Sequence, residues 1–301
     1  MNNKRRLFST VLCVAALTAG LFVSGCGSDK AGGIGSVVSS VVDGGDEKAA
    51  AKLNTLIDAT NRFNSDNASF AQFQAEGLAK LKGGFAEGAI TNQPHFDRLQ
   101  ADLEKAKKEG STFKEVDAER DNVLNILNEL VPVYKDLTAY DDSKAYMNDG
   151  GAKGKELAAK YVAAVEKFDA AYAKFNETLN KVNAEQSKKQ IEKLKKDGKK
   201  GYAAAMESTL RLTTLVDNLE KAPQKADKAA VEKELSEIEA LLKSINNDRG
   251  QVLADRYNSV VGDVRQVLAD PSDSNLNNMI EGFNGYIDTY NSTTPDQFDA
   301  K

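Results

Sequence analysis

The sequence predicts an all-α fold: an elongated antiparallel helical bundle with long helices, preceded by a flexible lipidated tether. Three observations predict it. From Asp46 onward nearly every segment sets its apolar residues at helical steps. No segment alternates apolar and polar residues with period two for long enough to form a strand. The run Leu157, Tyr161, Val165, Phe168, Tyr172, Phe175, Leu179 and Val182 advances by fours and threes, close to a heptad seam.

The first segment reads as an address. Lys4, Arg5 and Arg6 precede an apolar run from Leu7 to Phe22, and Val23-Ser24-Gly25 leads into Cys26. A basic start, a short apolar stretch and small residues at the exit mark a secretory signal peptide. A cysteine directly after those small residues resembles the bacterial lipoprotein signal, in which the thiol is lipidated and opens the mature chain. Residues 1–25 are then the cleaved signal, and Cys26 is the lipidation site, carrying palmitate-type chains. A membrane span needs about 20 apolar residues, and this run is interrupted by Ser9, Thr10, Thr18 and Gly20. Residues 26–45 are mostly Gly, Ser, Val and Asp, the composition of a flexible tether.

The helical domain is expected over residues 46–291. Leu53, Leu56, Ile57 and Phe63 form one stripe on a helix from about Glu47 to Asn64. Phe70, Phe73, Leu78, Leu81 and Phe85 follow among glycines and suggest short helices. Pro94 suits a first helical turn ahead of Phe96, Leu99 and Leu103, and Gly110 closes that helix. The next carries Phe113, Val116, Val123, Leu127, Leu130, Tyr134 and Leu137. Its stripe stays in register across Pro132, which predicts a kink rather than a break.

After Gly151 the seam begins, continues weakly through Ile191 and Leu194, and is interrupted by Gly198 and Gly201. It resumes at Tyr202, Met206, Leu210 and Leu215. Pro223 marks a turn and Asp227 suits the cap of the next helix. That helix is expected to run unbroken from Val231 to Val267, and Asp270-Pro271-Ser272 stops it. Ser274 then caps a final helix holding Leu276, Ile280, Phe283 and Ile287. The tail, residues 292–301, is expected to be disordered.

Composition narrows the function. The 301 residues hold 40 Lys and Arg against 45 Asp and Glu, for a net charge of −5. Loss of the basic signal leaves the mature chain more acidic. That argues against nucleic acid, which demands clustered cations to displace its counterions. It offers no pull toward anionic lipid either. Membrane attachment therefore falls to acyl chains on Cys26, and more than one is needed for stable anchoring. Cys13 leaves with the signal and Cys26 carries lipid, so no disulfide forms within the mature chain.

No catalytic or metal-binding pattern stands out. His95 is the single histidine, with Asp97 as its one nearby carboxylate, and the metal motifs that pair His with Glu are missing. Asp141, Asp142 and Asp149 do not have calcium-loop spacing. The aromatic row Tyr161, Phe168, Tyr172 and Phe175 is the candidate ligand groove; aromatic residues at this spacing are more often bundle core. The Lys-rich stretch from Lys188 to Lys200 reads as a solvated face, or as a contact for an anionic wall polymer.

Tyr140, Lys144, Tyr146 and Asp149, followed by Lys153-Gly154-Lys155-Glu156-Leu157, form a Tyr-rich stretch leading into a Lys-Gly-Lys motif. With Lys52-Leu53-Asn54 at one end and Phe283-Asn284 through Tyr290-Asn291 at the other, this resembles the YiiG-like family of bacterial envelope lipoproteins, whose function is not established. The resemblance implies a helical fold and an envelope location. It carries over no catalytic residue, and Ala158 stands where many relatives have histidine.

The reading is of a non-enzymatic, cofactor-free protein, anchored through acyl chains on Cys26, that binds or scaffolds an envelope protein or polymer. The alternative is a carrier of a small apolar or aromatic ligand in the bundle core. Gly27 stands where an Asp commonly retains such proteins at the inner membrane. For a source with two membranes the expected place is thus the outer one, facing the periplasm.

Overall fold

A computed structural model describes residues 46–68, 70–91, 94–110 and 113–300. The signal segment, Cys26 and the tether lie outside the described residues. Those described form eleven α-helices and no strand: α1 (Asp46–Ala68), α2 (Ala71–Lys82), α3 (Phe96–Lys108), α4 (Lys114–Asp142), α5 (Tyr146–Asp149), α6 (Ala152–Lys196), α7 (Lys200–Lys221), α8 (Lys228–Lys243), α9 (Asp248–Ala269), α10 (Asp273–Asn291) and α11 (Pro295–Asp299). The fold is all-α. No described helix is long and apolar enough to cross a membrane.

Where one helical domain was expected, the helices gather into two compact units, divided between Val182 and Asn183 inside the continuous helix α6. In the first unit, ion pairs and hydrogen bonds fix the helix directions. Arg62 meets Asp102 at 3.1 Å, while Asp66, one turn further along α1, meets Arg98, one turn earlier on α3, so these two helices are antiparallel. Gln100 with Asn128 (2.6 Å) and Lys107 with Asp121 (3.2 Å) set α3 against α4 in the same sense. Glu119 with Lys174 (2.6 Å) and Tyr134 beside Tyr161 do so for α4 and α6. Leu56, Ile57, Phe96, Leu103, Val123 and Leu127 are buried between them. Pro132 sits on the exposed side of α4, and the helix runs through it as the stripe implied.

In the second unit Asp227 caps α8, accepting from the backbone N–H of Ala229 (2.9 Å) and Ala230 (3.3 Å). The long helix expected from Val231 to Val267 is two helices. Asn247 has extended backbone, and its side-chain oxygen accepts from Gly250 N at 3.0 Å, an N-cap that starts α9 afresh. Gly250 lies so close to Ile245 that no β-carbon fits. The apolar stripe spans both helices because they fold back on each other. Tyr257 donates to Leu235 O in the same sense that Arg265 pairs with Glu232.

Two smaller corrections concern the chain's end. Ser272, rather than Ser274, caps α10. The tail expected to be disordered from Ser292 contains α11, whose Phe298 is buried beside Tyr202 and Tyr290. Asn247 Nδ2 holds it by donating to Gln297 O (3.2 Å), Phe298 O (2.9 Å) and Ala300 O (3.1 Å). Asp299 meanwhile accepts from Gly201 N at 2.7 Å. One buried ring and a handful of polar bonds outweigh the composition of the tail.

Candidate functional site

The aromatic row does not line an open groove. Tyr161, Phe168 and Phe175 are buried, and Tyr172 is half-buried. Phe168 packs edge-on against Phe96 (5.0 Å between ring centres) and Phe63 (5.8 Å), and stacks on Tyr172 at 5.2 Å. The Tyr172 hydroxyl donates to Asn64 Oδ1 at 2.9 Å, so even its polar end is committed to α1. A ligand in this place requires the rings to part.

The Tyr-rich motif is brought together, as a corner where α4, α5 and α6 meet. Tyr140 donates to Asp149 Oδ1 at 2.6 Å, and Asp149 also accepts from Gly151 N (2.9 Å) and Lys153 N (3.2 Å) at the start of α6. The Tyr140 hydrogen bond chiefly holds the Asp149 carboxyl below its ordinary range. The loop after α2 closes on this corner. Phe85 contacts Tyr140 (5.1 Å) and Tyr146 (5.4 Å), and Gly88 N donates to Asp141 Oδ2 at 2.9 Å. A hydrogen bond to Glu87, with burial second, pushes the Tyr146 phenol up to about 12. Gly154 lies directly beneath the Tyr140 and Phe85 rings. The Lys-Gly-Lys glycine is thus a packing requirement, with Lys153 and Lys155 exposed on either side. Ala158 is fully buried.

His95 is exposed at the start of α3, where its backbone N–H donates to Asn67 Oδ1 at 3.3 Å. Among the described residues no group of three or more His, Cys, Asp or Glu side chains is placed to hold a metal ion.

A groove lies in the second unit. There the end of α7, the short turn Pro223–Lys225 and the start of α8 enclose an open groove of about 550 Å³. Leu215, Leu219 and Val231 make an apolar floor, while Thr214, Asn218 and Lys225 stand at the exposed mouth. One wall is fixed by charge. Arg211 forks onto Glu234 with bonds of 2.7 and 2.8 Å and also reaches Glu237. That fork, its largest influence, lowers the Glu234 carboxyl and raises the guanidinium further, so both stay ionised. Lys221 is paired with Asp217 at 2.7 Å.

Pro223 and Asp227 announced the turn, but sequence reasoning missed the groove behind it. The signal was Ala222, Ala226 and Ala230, three small residues spaced by fours that line the groove and leave it unfilled. The arrangement offers apolar contact between fixed charges, the chemistry of recognition.

A family model described as a protein of unknown function (DUF3829) matches residues 47–269. No curated protein and no solved structure matches the chain.

Proposed function

The chain belongs to the DUF3829 family, proteins of unknown function, and on that premise we propose that it is a lipid-anchored envelope protein that binds or scaffolds another envelope component without catalysing a reaction. The basic and apolar segment ending at Cys26 supports the anchor, and residues 27–45 supply its reach. Likeness to the YiiG-like lipoproteins supports the same location, facing the periplasm from the outer membrane where the source has two. The observation that carries the binding role is the groove between α7 and α8, with its apolar floor and ion-paired wall. Buried leucines gain from an apolar partner, and the fixed Arg211–Glu234 pair orients it at little further entropic cost.

In-cell crosslinking tests this. A photo-reactive residue replacing the exposed Asn218 is expected to capture one dominant envelope protein from the full-length chain. The capture should be lost in a Cys26→Ser chain that is no longer acylated. An Asn218 probe that recovers nothing, while Cys26 carries its label, sinks the scaffold reading. Recovery of a wall polymer would change the partner's class.

A further inference from the structure

The turn joining α1 to α2 has its polarity inverted. Asn67 and Gln74 are buried there, at 6% and 1% exposure, while Phe70 and Phe73 stand at 39% and 60%. The inside is built for amides. Asn67 donates to Phe63 O at 2.6 Å, and its oxygen accepts from Gln74 Nε2 (3.2 Å) and His95 N (3.3 Å). The turn therefore seats polar groups in the core and leaves Phe73 mostly and Phe70 partly in water, forfeiting burial those rings otherwise supply. Three residues apart at the first turn of α2, the rings emerge on one side. Two of the four large apolar side chains found exposed among the described residues are thus adjacent.

We propose that Phe70 and Phe73 insert into the interfacial region of the bilayer that holds the acyl chains of Cys26, so that the turn is a second membrane contact. This rests on the anchored reading above. Residues 67–75 carry no charged side chain, in a chain whose residues are 28% charged. Asp66, just before them, is paired with Arg98. The acidic chain as a whole is not drawn to anionic lipid, yet this turn brings no charge to be desolvated. The reach is sufficient as well. Residues 27–45 extend to at most roughly 65 Å, and α1 covers only about 34 Å from Asp46 to the turn over its 23 residues. Phenylalanine is among the apolar side chains that interfacial helices bury at the boundary of headgroups and acyl chains.

The chain has no tryptophan, so one placed there reports alone. Acylated Phe73→Trp protein would be reconstituted into vesicles of phosphatidylethanolamine and phosphatidylglycerol, with Val252→Trp, 45% exposed on α9 of the other unit, as the reference. The expected result is that Phe73→Trp emission shifts to the blue and is largely lost to brominated acyl chains, while Val252→Trp emission is unchanged. Flotation of the same vesicles reports the anchor separately. Protein that floats but shows equal quenching at both positions overturns the second contact and leaves the anchor standing. A blue shift without quenching by brominated lipid means that protein covers the rings, and also overturns it. Protein that does not float overturns both readings.

Discussion

At Gly154 the chain has no room for a methyl group, because the rings of Tyr140 and Phe85 lie where a β-carbon would go. Gly154→Ala should therefore cost about 1–3 kcal/mol of stability through overpacking, measured by urea unfolding, while helix content is kept. Asp169 poses a different problem. One of its side-chain oxygens is buried without a hydrogen-bond partner among the described residues. Burial first, then the neighbouring Glu166, pushes its carboxyl up to about 7 against a weaker pull from Lys82. The folded protein holds that proton over a range in which the unfolded chain has lost it. The contribution of this carboxyl is thus intact below the ordinary range near pH 4 and is lost as the pH rises through about 7. Glu220, pushed up to about 7 by burial and Asp217, acts in the same direction. Asp169→Asn should raise the melting temperature at pH 8 and flatten its decline between pH 4 and 7; an unchanged pH profile would refute the assignment. None of this was legible in the sequence. Gly154 read as part of a motif, and nothing in the sequence singled out Asp169 beside Phe168.

Single helices were more legible than the joints between them. The stripes placed α3 and α4, and the Asp227 cap placed the start of α8, to within a few residues, because period and capping are local properties. The break at 244–247 was missed because Ile245 and Leu253 keep the helical rhythm across it; only the three-dimensional course of the chain separates a turn from a continuation. Asn247 is where that joint is held, since its amide caps α9 at one end and takes three backbone carbonyls of the α11 segment at the other. Asn247→Ala should destabilise the second unit by about 2 kcal/mol. It should also speed hydrogen exchange around Gly201, whose N–H is held by Asp299. Unchanged exchange there would mean that α11 is held by Phe298 alone. The groove between α7 and α8 was invisible for a related reason: Ala222, Ala226 and Ala230 leave a gap that has meaning only once α7 stands opposite.

On the scale of the whole molecule the sequence predicted one bundle and the structure has two units, yet the division had a trace. The aromatic seam of α6 is strong up to Val182 and weak afterwards, and the units divide at Val182 and Asn183. The helix continues because nothing in it breaks the backbone, while the character of its buried face changes from aromatic to aliphatic with Ile191 and Leu194. The seat of Phe298 beside Tyr202 and Tyr290 has a consequence in time. Its two walls are separated from the ring that fills it by very different lengths of chain, with Tyr202 arriving almost a hundred residues before Phe298. A polypeptide emerging N-terminus first from a ribosome holds that seat empty until residues 295–300 arrive. The second unit thus completes its packing at the end of emergence, when Phe298 reaches Tyr202 and Tyr290.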